Sequence, residues 1–152
     1  MVVEDPFHLQ RFIEAQRSVY ATVLKELRGG QKQSHWMWFI FPQIAGLGRS
    51  PMAKDYAIHS REEAVAFLTT PLLGARLVEC TALVLDIPHK SAHEIFGSPD
   101  DLKFRSSMTL FDAARPDSLF RKAIDRFFDG QPDETTLTIM KNMAIEKSAD
   151  RD

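Results

Sequence analysis

The chain has 152 residues, 44% hydrophobic and 26% charged, with a formal charge of −2. That balance belongs to a folded globular chain able to bury a core, and it excludes a disordered one. The near-neutral charge gives no overall drive toward nucleic acid or acidic membrane surfaces, and the lone Cys80 excludes an intrachain disulfide.

Met1–Pro6 is acidic and lacks the basic and apolar stretches of a signal peptide, so the expected compartment is the cytoplasm. No apolar run approaches the roughly 20 residues that cross a bilayer. Helix-start punctuation then recurs. A cap-forming residue precedes proline at Asp5-Pro6, Ser50-Pro51, Thr70-Pro71 and Ser98-Pro99. The cap side chain accepts from a free backbone N–H, and proline at the next position has no N–H to leave unsatisfied. Ser60 with Glu63 and Ser91 with Glu94 fit capping boxes.

The first helix is predicted from Pro6 to about Arg28. Leu9, Phe12, Ile13, Tyr20, Val23, Leu24 and Leu27 recur at three- and four-residue steps and form one stripe, which Gly29-Gly30 ends. His35–Phe41 fits a buried strand or, with Ser34 as N-cap, a short helix; the helix is preferred because no partner strand is visible. Helices follow over Pro51–Ile58 and Arg61–Thr69. Pro71–Leu85 is apolar on most sides and belongs at the centre, with Cys80 as a buried, inert thiol. A short turn covers Ala92–Phe96, and Pro99–Ala114 stops before Pro116. Asp117 can cap Ser118–Phe128, and Asp133 can cap Glu134–Ile145. The expected fold is all-α: a compact single-domain bundle of about seven or eight short helices over residues 1–145, with a frayed tail over 146–152.

Two stretches carry more polar chemistry than a helical core requires. In Gln31–Ser50, Gly46-Leu47-Gly48 lets the backbone turn tightly, and Arg49 and Ser50 stand at a helix start suited to an anion. The same residues also fit a plainer role, with the tryptophans and His35 in the core and Ser50 only a cap. In Glu94–Phe111, Phe104, Met108 and Phe111 share a core face. Ser106, Ser107 and Thr109 are mediocre helix formers in mid-helix, so either they allow close helix contact or they face a polar pocket. Asp100 and Asp101 suit the positive helix start without any further role. Metal ligation is not expected: His89 and His93 flank the cap Ser91, and no third ligand is evident. No Gly-x-Ser-x-Gly elbow is present.

The segments DPFHLQRF (5–12), SHWMWFIFPQ (34–43), GLGRS (46–50) and IFGSPDDLKFRSSMTLF (95–111) resemble an uncharacterised bacterial family, domain of unknown function 1810, whose members often carry the label calpastatin. The resemblance spans roughly Asp5 to Leu137. It implies a compact helical fold and no established activity or cofactor. The inhibitor label does not suit this composition: that inhibitor is long, disordered and repeat-built, whereas this chain is short, non-repetitive and rich in core residues.

Two functions fit. The first is binding or processing of a small anionic ligand, such as a nucleotide or ADP-ribose derivative. The site would gather Lys32, Trp36, Trp38, Gln43, Arg49, Ser50, Lys103, Arg105 and Ser107, with His35 as the acid–base candidate. The second is a protein–protein interaction module without catalytic activity, its tryptophans partly exposed. A nucleic-acid role ranks third, against the charge balance.

Overall fold

The computed structural model describes residues 4–149. Ten helices follow in chain order: α1 (Gln10–Arg17), α2 (Tyr20–Arg28), α3 (Met37–Ile40), α4 (Pro51–Asp55), α5 (Arg61–Thr69), α6 (Pro71–Leu85), α7 (Ala92–Phe96), α8 (Asp100–Ala114), α9 (Leu119–Phe128) and α10 (Glu134–Ala149). The all-helical expectation holds, with two or three helices more than the caps announced.

One extra helix comes from splitting the first predicted one. Ser18 and β-branched Val19 interrupt it between α1 and α2. The break lets buried Gln16 donate to the Phe39 carbonyl (2.7 Å) and accept from Arg76 (3.2 Å), so that one amide joins α1, α3 and α6. The start also moves. Asp5 accepts from the N–H groups of Leu9 and Gln10 at 2.7 and 2.9 Å, across a turn in which His8 has φ 53°, and helix begins only at Gln10.

Other caps behave unevenly. Ser50 accepts from Ala53 N at 3.1 Å, and Ser91 forms the full capping box with Glu94. Ser60 accepts from Glu63 N, but the Glu63 carboxylate turns to His59 N instead of closing the box. Thr70 bonds back to the Ala66 carbonyl and caps nothing. Asp133 accepts from Thr136 N at 3.1 Å and starts α10. That helix continues through Ala149, past the predicted end at Ile145; residues 150–152 lie outside the described range.

The buried helices α6 and α8 organise the rest. α6 packs against α1, α2, α3, α5 and α9, and α8 against α5, α7, α9 and α10. α5 and α6 meet at a 91° bend. Glycine is required there, because a Cβ on Gly74 would stand 2.0 Å from the Leu68 carbonyl oxygen. Aromatic side chains fill the centre. Phe104 packs on Phe41 and Phe96 with centroids 5.1 and 4.7 Å away, and Phe67 joins Phe12 to Phe111. Cys80 is buried, and burial pushes its thiol up to about 12, which leaves it unreactive as expected. No single helix among the described residues is long and apolar enough to cross a bilayer.

Among the described residues, β pairing amounts to one isolated parallel bridge between Ile44 and Ile58. Ala45 N donates to the Ile58 carbonyl and Ile58 N to the Gln43 carbonyl, both at 2.8 Å. The excursion between them carries Gly46–Ser50 and α4, and α4 ends at Asp55 instead of Ile58 because the chain must turn back to form the bridge.

Arg11 locks that excursion to the bundle. Its guanidinium donates to the carbonyls of Phe7, His8, Asp55 and Ala57 and pairs with the buried Glu63 carboxylate at 2.8 Å. Removing one partner of a buried pair strands the other charge. Arg11→Met is expected to cost about 3–5 kcal/mol in denaturant unfolding, and Arg11→Met with Glu63→Leu less than Arg11→Met alone.

Candidate ligand-binding site

The Gln31–Trp36 loop is placed by one carboxylate. Glu26, in the last turn of α2, accepts from Gln33 N (2.7 Å), Ser34 N (3.0 Å), the Ser34 hydroxyl and Trp36 Nε1 (2.9 Å). Partial burial alone would raise its pKa, but these hydrogen bonds outweigh burial and bring it to about 2. Ser34 therefore serves Glu26 and caps no helix; α3 begins at Met37 behind Trp36. Lys32 N donates to the Ile95 carbonyl at 2.7 Å and brings the loop against α7.

The two signature stretches meet at Asp100. Its carboxylate takes Lys32 Nζ at 2.7 Å and Lys103 Nζ at 3.1 Å. Burial works to raise the Asp100 carboxyl, but the two ammonium groups overcome it and hold the pKa below the usual value. Each lysine also lies on a tryptophan: Lys32 Nζ is 5.3 Å from the Trp36 ring and Lys103 Nζ 4.4 Å from the Trp38 ring. Trp36 is only 1% exposed and Trp38 is half-buried. The Trp38 indole N–H and the Ser107 hydroxyl are buried and find no hydrogen-bond partner among the described residues.

Beside this cluster opens a cleft of about 230 Å³, lined from the first stretch by Gln43, Leu47 and Gly48 and from the second by Pro99, Leu102, Lys103 and Ser106. Asp133 and Thr135 close it from the start of α10. Gly48 is needed for this wall, since a Cβ there would come 2.4 Å from the Ala53 Cβ. Larger hollows lie elsewhere. The one of about 510 Å³ at Glu4–Ile13 and Ala66–Thr70 has acidic Glu4 and Asp5 on its wall and no lysine or arginine, a poor setting for an anion.

The structure thus brings Lys32, Trp36, Trp38, Gln43 and Lys103 together, with Ser107 one turn beyond Lys103 on the same face of α8. The others part company. Arg105 donates to the carbonyls of Gln131 and Pro132 at 2.9 and 3.2 Å, so it fastens the α9–α10 connection and does not face the cleft. Ser106 and Thr109 serve the same junction through Asp133. Ser50 is an exposed cap on the short α4. Arg49 follows a lining glycine, is exposed, and makes no ion pair or side-chain hydrogen bond among the described residues. His35 is exposed, off the cleft wall, and its ring makes no hydrogen bond or ion pair among the described residues. Asp100, Leu102, Asp133 and Thr135 belong to the site without having been expected there.

A helical protein whose two signature segments join through a shared lysine–carboxylate–lysine bridge is the class that fold and cleft define. The chain belongs to the family described as protein of unknown function (DUF1810), which matches residues 6–140. It is similar to the conserved hypothetical protein Rv1873 from Mycobacterium tuberculosis, whose crystal structure at 1.38 Å superposes with a TM-score of 0.89. That similarity has 50% identity and covers 90% of this chain and 99% of the other. No curated protein matches the chain.

Glu26 generates a pH prediction. Its folded pKa lies below the ordinary glutamate value of 4.5, at about 2. Its contribution to stability is therefore complete above pH about 4.5 and disappears as the pH falls toward about 2. Glu26→Ala is expected to cost about 1–3 kcal/mol at neutral pH, because the buried Trp36 N–H loses its acceptor. The gap between wild type and variant should close over that acid window in urea titrations at stepped pH; a constant gap would contradict the assignment.

Proposed function

We propose that the chain binds a small anionic ligand in the cleft between the Gln43–Gly48 segment and the first turns of α8, with Lys103 as the charged contact. The observation that carries this reading is the excess of donors. Among the described residues the two ammonium groups pair with one carboxylate, Asp100, while the Trp38 indole N–H, on the ring beneath Lys103, and the Ser107 hydroxyl, one turn along α8, are buried without an acceptor. Buried donors without acceptors are costly, and an anion would supply the missing acceptors.

The size of the cleft refines the ligand. About 230 Å³ is below the 300–1,000 Å³ usual for whole ligands, so it suits a phosphate or carboxylate head group. A nucleotide or ADP-ribose-like ligand would insert its phosphate and rest the remainder on the rim, within reach of exposed Arg49. The lysine–carboxylate–lysine cluster supports a reading of binding, and His35, exposed and off the cleft wall, has no part in it. A second reading, a protein-interaction surface, draws on Leu102, 56% exposed at the lip.

Thermal melts at constant ionic strength test the proposal. At about 100 times Kd, inorganic phosphate or a nucleotide should stabilise the fold by about 2.7 kcal/mol, a rise of roughly 5–10 °C. Lys103→Ala should remove the response, and Arg49→Ala should weaken it for nucleotides only. No stabilisation by any phosphate or carboxylate compound would refute it.

A further inference from the structure

We infer that the Lys32–Lys103 pair is itself an anion site, that the Asp100 carboxylate is its resident occupant, and that the ligand is a compact phosphate-type oxyanion that exchanges with this side chain. The inference rests on the proposed anion-binding function and adds the ligand class and the competitor.

Charge is the first argument. Two ammonium groups share one carboxylate: Lys32, only 6% exposed, takes the shorter contact at 2.7 Å, and Lys103, 22% exposed, has no carboxylate of its own among the described residues. A buried charge needs full pairing to be tolerated. A phosphate dianion matches the two lysines charge for charge, and a monocarboxylate does not. Hydrogen-bond capacity is the second argument. A carboxylate has two oxygens, and both are engaged, Oδ2 by Lys32 and Oδ1 by Lys103. The indole N–H on the ring beneath Lys103 and the Ser107 hydroxyl one turn along α8 remain unpartnered. A tetrahedral oxyanion brings acceptors enough for these as well.

The third argument is that Asp100 has somewhere to go. It lies in the first turn of the fifteen-residue α8, where the helix dipole favours a negative charge with or without the lysines. Its side chain is 18% exposed, so rotation toward water leaves no charge stranded. Lys103, on the cleft wall at 22% exposure, gives the route by which an incoming anion meets the pair.

The chain has two tryptophans, so the nitrogen–proton NMR spectrum holds two indole signals, assigned by Trp38→Phe. During titration of the wild type with inorganic phosphate, the Trp38 signal should move while the Trp36 signal, held by Glu26, stays. Asp100→Asn should bind phosphate at least about tenfold tighter than wild type, because the internal competitor is gone. Adding Lys32→Met to that variant should abolish the gain. If Asp100→Asn keeps its helical circular dichroism but binds phosphate no tighter than a wild type that does respond, the exchange is refuted and the proposed function stands. If neither protein binds any anion, both fail. Should Asp100→Asn not fold, the wild-type titration decides, and an unmoved Trp38 signal at saturating phosphate overturns the inference.

Discussion

Glu26 reaches from the end of α2 into the loop that follows and gathers two backbone N–H groups, a hydroxyl and an indole N–H on one carboxylate. The geometry of the cleft descends from this contact. With Trp36 fixed by its ring nitrogen, α3 must start at the next residue, and Trp38 is delivered beneath α8. With Gln33 and Ser34 fixed, Lys32 points back toward Asp100. A loop of this length would otherwise have many conformations, and the ordering entropy is offset by charge-assisted bonds that each exceed an ordinary neutral one. Arg11 plays the complementary part from α1, collecting four carbonyls and a carboxylate around the excursion that forms the other cleft wall.

Much of the fold was legible because capping is local chemistry. Ser50, Ser91 and Asp133 act within three residues of themselves, and any sequence carrying those spacings would present them. Asp5 and Thr70 were misjudged for the opposite reason. Asp5 reaches past a turn that no spacing announces, and the Thr70 hydroxyl is drawn back to the Ala66 carbonyl at the 91° bend, a tertiary demand. The break at Ser18 was hidden by the continuous apolar stripe, which fits two helices as well as one.

The placement of the candidate site residues was half legible. Lysine and tryptophan at the proposed positions do come together, because both signature stretches have aromatic cores that pack on each other through Phe41, Phe96 and Phe104. Arg105 misled because its acceptors are backbone carbonyls, which leave no mark in a sequence. Asp100 was set aside as a helix-start residue, though its lysine partner three positions on was in plain view. Glu26 could have been found: an acid in the last turn of a helix opposes the dipole there, and such a residue has a task elsewhere. Of the mid-helix hydroxyls of α8, Ser106 alone lines the cleft among the described residues. Ser106 and Thr109 bind the α9–α10 connection, and Ser107 stays buried and unpartnered.

The single bridge between Ile44 and Ile58 closes its excursion like a drawstring, with two backbone bonds at the neck and the whole of α4 hanging outside. Closing such a loop depends only weakly on how many residues it contains. The exposed residues of α4 can therefore vary in number and kind, while Gly48, Tyr56 on Phe12 and Phe39, and the Asp55 and Ala57 carbonyls held by Arg11 keep the excursion on the bundle. The roof of the cleft is thus set by a segment tied at its neck, and its floor by the core helix α8.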